Sequence, residues 1–297
     1  MRNITVIVPT GKNHKVYALE SLNRQKEIIN FIIERGPNPS KNRNSGVKKS
    51  KTKLIAFINS HTILKDNWAR MVNEFFSKYP EIDIVGGTQL TPKNDPSFAK
   101  ISGYALSSIF GAGEVSRRYK INKLSLNANE KYLTSSNLIC KREVFNKVLF
   151  DEDIYPGEDP KFISDAKKEG FKVAYSPDII AYNKRRDSIK GLAKQIFNYG
   201  FMRAKKEKFV ETLKNPLFLV PSSFFIYLFF IPTLIFINKL FLIPIIFYLM
   251  LNISFSFYES IRNKSFISLF ILPFLFFVIH ISYGTGFILS SIQKVFK

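Results

Sequence analysis

The sequence predicts an α/β domain, with a Rossmann-like, mostly parallel sheet and helices on both faces, followed by a transmembrane helical region. Three observations carry this expectation. Apolar runs of strand length alternate with stretches at helical spacing through residues 1–210. Three of these runs end in Pro9-Thr10, Asn59-Ser60-His61 and Gly86-Gly87. In open α/β sheets such carboxyl ends hold the ligand. From Pro216 onward the only charged residues are Lys239, Glu259, Arg262, Lys264, Lys294 and Lys297.

In chain order, NITVIVPT (3–10) reads as the first strand, and the run is too short for a signal peptide. KVYALESLNRQ (15–25) has the spacing of a helix, and EIINFII (27–33) reads as a second strand. NPSKNRNSGVKKSK (38–51) reads as a loop entering a short helix before the strand KLIAFI (53–58). A helix over 67–78 and a strand over 82–90 follow. EDPKFISDAKKEG (158–170) is an amphipathic helix closed by Gly170, with Glu158 and Asp159 at its start. Acids at that position are common for capping and dipole reasons alone.

The charged residues before Pro216 number 39 basic and 22 acidic, a net +17. An excess of this size fits an anionic membrane surface, a phosphorylated substrate or nucleic acid, against the plain alternative of a solvated basic face. The apolar tail sets the domain beside lipid headgroups. No RNP, zinc or helix-turn-helix signature supports nucleic acid, so no such partner is expected. The one cysteine, Cys140, excludes a disulfide within the chain and fits a cytoplasmic soluble part.

Residues 217–237, 240–258 and 266–291 are each long and apolar enough to span a bilayer, which divides the chain into domains 1–210 and 211–297. The basic excess and the Arg262/Lys264 loop both favour the cytoplasmic side, giving a multi-pass membrane protein with its soluble domain in the cytoplasm. An odd number of spans would leave Lys294 and Lys297 outside, so a re-entrant bend at Gly284–Gly286 is one expectation. His280 is expected to pack rather than to bind a ligand.

The motifs together resemble the family 2 inverting glycosyltransferases, which have the nucleotide-diphospho-sugar-binding GT-A fold. The likeness is to membrane-anchored members that build exopolysaccharide and other surface glycans. Val8-Pro9-Thr10 is similar to the family's opening strand, and Pro39, Arg43, Asn44 and Gly46 fit its P-x-x-x-R-N-x-G segment. AFINSHT (56–62) stands where the family has AFLDxDT, VGGTQ (85–89) matches a VGG strand, and SSNLICKREVF (135–145) resembles N-x-x-x-R-R-x-x-F. GEDPKF (157–162) matches GED, and KQIFNYGFMRA (194–204) resembles a late RQxxxYGxGRA box.

The resemblance implies transfer of a sugar from a nucleotide-diphosphate donor to a glycan or lipid-linked acceptor. Asp159 would be the catalytic base, with Glu158 orienting it or contacting acceptor. Pro9, Thr10, Arg43, Asn44, Asn59 and His61 would bind donor, and Gln195, Tyr199 and Arg203 would meet acceptor or phosphate. Asn59 and His61 replace the aspartates that hold Mn²⁺ or Mg²⁺ in the family, and Asn183 stands where a metal-binding His is common. A unit after the second strand is missing, leaving only Glu34 near the place of the base-reading carboxylate. Three readings follow: a transferase that neutralises diphosphate with cations such as Lys41, Arg43, Arg185, Arg186 and Arg203; one with a weak metal site at His61; and a non-catalytic subunit of a glycan assembly complex.

Overall fold

The computed structural model describes residues 3–206 and 216–296. The expected domain boundary at 210 lies outside the described residues. The first elements are β1 (Ile4–Thr10), α1 (Leu19–Asn23), β2 (Ile29–Arg35), α2 (Pro39–Lys49), β3 (Leu54–Phe57) and β4 (Thr62–Leu64). Next come α3 (Trp68–Lys78), β5 (Ile84–Leu90), α4 (Ser97–Ser107), α5 (Ile109–Ala112), β6 (Leu138–Lys141), α6 (Glu158–Lys168) and β7 (Val173–Asn183). The rest is helical: α7 (Ile189–Lys206), α8 (Val220–Ile237), α9 (Ile243–Arg262) and α10 (Ser268–Val295). Packing divides these into two compact units: residues up to Asn94 with Arg117–Lys184, and Asp95–Ser116 with Arg185 onward.

The first unit is a seven-stranded sheet in the order β2-β1-β3-β6-β5-β7-β4. It is mixed rather than mostly parallel: β1 pairs parallel with β2 and β3, and β5 with β7, whereas β6 runs antiparallel to β3 and β5, and β4 antiparallel to β7. Leu138, Ile139 and Cys140 of β6 are buried on both faces, as in a parallel core strand. Such a run carries no sign of its direction.

Alternation along the strands gives each face its own core. Val6, Val8, Ala56 and Ile58 join Leu22, Trp68 and Val72 on one side. Ile7, Ile55 and Phe57 join Val47, Phe150, Phe162 and Ile163 on the other. The second face stacks aromatic rings from β3 to α6: Phe57 meets Phe150 edge-on at 5.0 Å, and Phe150 stacks on Phe162 at 4.3 Å. The N-terminus of α6 is thereby fixed relative to β3.

Local starts and stops differ from expectation for identifiable reasons. The first helix is only Leu19–Asn23, because the chain before it is drawn across to β3's end, where the Ala18 N–H donates to the Ser60 carbonyl at 3.0 Å. The 38–51 stretch is almost wholly helical: Asn38 caps α2 by accepting from the Lys41 N–H at 3.1 Å, and Pro39 opens the helix without wasting a donor.

In the second unit, Pro216–Ile237, Lys239–Arg262 and Ser268–Lys294 are long and apolar enough to cross a membrane. The third runs straight through Gly284-Thr285-Gly286, so the re-entrant bend does not form. The glycines serve close packing instead. A Cβ on Gly284 would meet the Pro221 carbonyl oxygen of α8 at 2.4 Å, and one on Gly286 would meet that of Phe197 at 2.2 Å. Reciprocally, a Cβ on Gly200 of α7 would lie 2.2 Å from the Tyr283 oxygen. Backbones this close need the missing side chains on both helices. His280 is a packing residue, with Nε2 2.8 Å from the Phe110 carbonyl and Nδ1 3.0 Å from the Tyr248 hydroxyl.

Candidate active site

Thr10 and the Asn59-Ser60-His61 segment lie at the same edge of the sheet, because β1 and β3 are parallel neighbours with Ile7 level with Phe57. Pro9 and Thr10 are buried, and the Thr10 hydroxyl has no hydrogen-bond partner. Asn59 and His61 are half-buried. The Asn59 amide donates to Ser136 Oγ at 2.6 Å, just ahead of β6.

The two acids open α6. Gly157 precedes them at φ +109°, a left-handed conformation that a side chain would strain. Glu158 folds back so that Oε2 accepts from the Gly157 N–H at 2.9 Å, while Oε1 accepts from Arg43 Nη1 at 2.9 Å. Both side chains of this ion pair are nearly inaccessible, at 4% and 6%. Asp159 is more open, at 17%; its Oδ1 is buried without a hydrogen bond, 3.9 Å from Arg43 Nη2. Burial first, and then the charge of Asp159, push the Glu158 carboxyl above its ordinary value against the pull of Arg43.

Arg43 and Asn44 are therefore turned inward rather than toward the crevice rim. The Arg43 guanidinium also lies 5.1 Å from the Phe150 ring centroid. Asn44 accepts from the Phe150 N–H at 3.1 Å and donates to the Phe150 carbonyl at 2.8 Å and to Glu152 at 3.0 Å. Together the two residues clamp the chain leading into α6. Glu34 is likewise engaged, 2.7 Å from Lys49 Nζ and bonded to Ser45. Nothing in the sequence flags Phe150, Glu152 or Ser136, which act through folded contacts alone.

The strand-end segment does not fit a hard dication. It offers no carboxylate, and Asn183, level with Thr62 across β4 and β7, spends its oxygen on the Thr62 hydroxyl at 3.3 Å. Among the described residues no three His, Cys, Asp or Glu side chains gather in one place. Mg²⁺ and Mn²⁺ favour carboxylate and other oxygen donors.

Gln195, Tyr199 and Arg203 belong to α7 in the second unit. They follow one another at a spacing of four, on one helical face. Gln195 donates to the Tyr199 hydroxyl at 2.9 Å, and the Arg203 guanidinium lies 3.5 Å from the Phe218 ring centroid.

Residues 15–149 match the family model described as Glycosyl transferase family 2. That match spans a little under half of the chain and supports a family 2 glycosyltransferase domain over those residues. The matched part contains Arg43, Asn44, Asn59 and His61 and ends before Glu158-Asp159. Among solved structures, the mannosyltransferase PcManGT from Pyrobaculum calidifontis, in complex with GDP-Man and Mn²⁺, is 10% identical with a TM-score of 0.56. That similarity covers 99% of this chain and 88% of PcManGT, and it supports a GT-A-like fold. S. aureus TarS is 14% identical at a TM-score of 0.42; 67% of this chain is covered, and only 39% of that one. TarS 1–349 in complex with UDP gives 13% and 0.43, covering 99% and 92%. No curated protein matches the chain.

Proposed function

We propose that this protein is a multi-pass membrane glycosyltransferase that moves a sugar, with inversion, from a nucleotide-diphosphate donor to a glycan or lipid-linked acceptor, in surface polysaccharide or glycoconjugate synthesis. Asp159 is the general base. The acceptor hydroxyl attacks the anomeric carbon from the face opposite the diphosphate and gives its proton to Asp159. The bond from that carbon to the diphosphate oxygen breaks, and the electron pair leaves with the nucleotide. One displacement of this kind inverts the centre.

The observation that supports this reading is the buried Arg43–Glu158 pair beneath a more open Asp159. Glu158 and Arg43 are positioning residues: they spend their charge on each other and hold Asp159 at the start of α6. A base so fixed avoids reorganisation when the proton moves. The basic excess supports a cytoplasmic domain, where nucleotide sugars are at hand. The apolar helices favour a lipid-linked acceptor.

The full chain, purified in detergent, should consume UDP- or GDP-sugars in the presence of membrane lipid extract; the GDP-Man held by PcManGT makes a GDP-sugar the first to try. Asp159→Asn should lower turnover by about 10²–10⁴-fold while nucleotide binding persists. Asn59, His61 and Asn183, standing where carboxylates and a metal-binding His are expected, favour a second reading, a non-catalytic subunit that binds glycan or partners. That reading stands if no donor is turned over and Asp159→Asn leaves the cell's glycan unchanged.

A further inference from the structure

A donor diphosphate brings negative charge to a strand end that fits no dication, so positive charge has to come from elsewhere. Arg43, the cation that the family motif would offer, is sealed against Glu158. Two lysines lie on segments tied to this strand end. Lys15 lies on the loop after β1, which crosses to the Ser60 carbonyl through the Ala18 N–H. Lys184 directly follows Asn183, which is bonded to Thr62, the neighbour of His61.

Both ammoniums converge on one ring. Lys15 Nζ is 5.3 Å and Lys184 Nζ 4.5 Å from the centroid of Tyr17, which is itself 48% exposed. Among the described residues neither lysine has a carboxylate partner. Like charges drawn to one aromatic ring without a carboxylate partner repel each other, and an anion bound to both would relieve that repulsion. The loop that carries Lys15 is also held in advance: Arg35 Nη1 donates to the carbonyls of Gly11, Lys12 and His14 at 3.4, 3.1 and 3.1 Å. Lysine serves as a point charge for phosphate.

We infer that Lys15 and Lys184, assembled over Tyr17 beside Asn59-Ser60-His61, bind the donor's diphosphate and supply the two positive charges that a divalent metal would otherwise bring, so that nucleotide binding needs no metal. The inference rests on the transferase reading above. Its site, however, is read by binding alone, without sugar transfer.

The experiment is titration calorimetry of UDP and GDP into the full chain in detergent, with EDTA and then with Mn²⁺. The expected result is equal affinity under both conditions, a weakening of about tenfold for Lys15→Gln and for Lys184→Gln, and a larger loss for the pair. Unchanged Trp68 emission would show that the variants remain folded. Binding that EDTA abolishes and Mn²⁺ restores overturns the inference and leaves the transferase reading intact. So does wild-type affinity in both glutamine variants. Failure of the wild type to bind either nucleotide under any condition removes the transferase reading, and this inference with it.

Discussion

Replacing Arg43 by methionine keeps much of the side chain's bulk and removes the cation beneath the two acids. Arg43 and Glu158 are 4% and 6% exposed at the side chain and 2.9 Å apart. Breaking such a pair from one side costs about 3–5 kcal/mol, because the partner stays buried and uncompensated. Glu158 can escape part of this cost by taking up a proton, since its carboxyl already stands above its ordinary value. The expected loss for Arg43→Met is therefore about 3 kcal/mol, at the lower end of that range. Glu158→Gln should cost somewhat less, about 2 kcal/mol, because Asp159 still lies 3.9 Å from Arg43. In the double variant the only charge left at this spot is the more open Asp159 carboxylate, so the two losses should fall short of adding by about 2 kcal/mol. Trp68 is the sole tryptophan, buried in this unit, with its indole N–H bonded to Asn137 at 2.9 Å. Urea unfolding of the full chain in detergent, followed by tryptophan emission, thus reads this domain alone. The urea slope should stay constant across the set. A loss below about 1 kcal/mol for either single variant, or strict additivity, would refute the view that the pair is a closed unit.

Other consequences can be checked with the same preparation. Gly87→Ala should destabilise the domain by about 2–3 kcal/mol or prevent folding, because the new methyl would stand 2.1 Å from the Ile179 carbonyl oxygen and 2.3 Å from the Asn137 amide; the same urea midpoint reads it. Cys140 is buried and its thiol is pushed well above its ordinary value by burial. Maleimide should therefore label it no faster than the domain unfolds, and rapid labelling of the native protein would contradict its place in β6. Glu158 binds a proton more tightly in the folded domain than in the unfolded chain. Stability should then fall as pH rises from the ordinary carboxyl value to the raised one. Glu158→Gln should flatten that slope, which unfolding midpoints at a series of pH values would show.

The elements built on local signals were legible from sequence. β1, β3 and β5 are apolar runs closed by polar residues, and α3 and α6 show helical spacing. The direction of β6 was not legible, because a strand buried on both faces looks the same read either way. The short β4 was missed for a different reason: it depends on β7 arriving opposite Thr62. At the site, Glu158 and Asp159 could be singled out, whereas Arg43 could not be placed. The same guanidinium serves for phosphate capture or for a sealed ion pair, and only Phe150 and the fold of 150–158 decide between them. Lys15 and Lys184 are far apart in sequence and ordinary in composition. Their meeting over Tyr17 exists only once β4 and β7 have paired.

The glycine contacts between α7 and α10 bear on how this protein can be handled. Leu192, Ile196 and Ala204 of α7 are buried, and the Gly200 backbone is pressed directly against that of Tyr283. Severing the chain near residue 210 to obtain a water-soluble enzyme would strip the covering from this face and leave a greasy, groove-cut helix in search of a replacement. The resulting fragment should clump or cling to detergent, and the remedy is to keep the last helix, not to polish the surface of what remains.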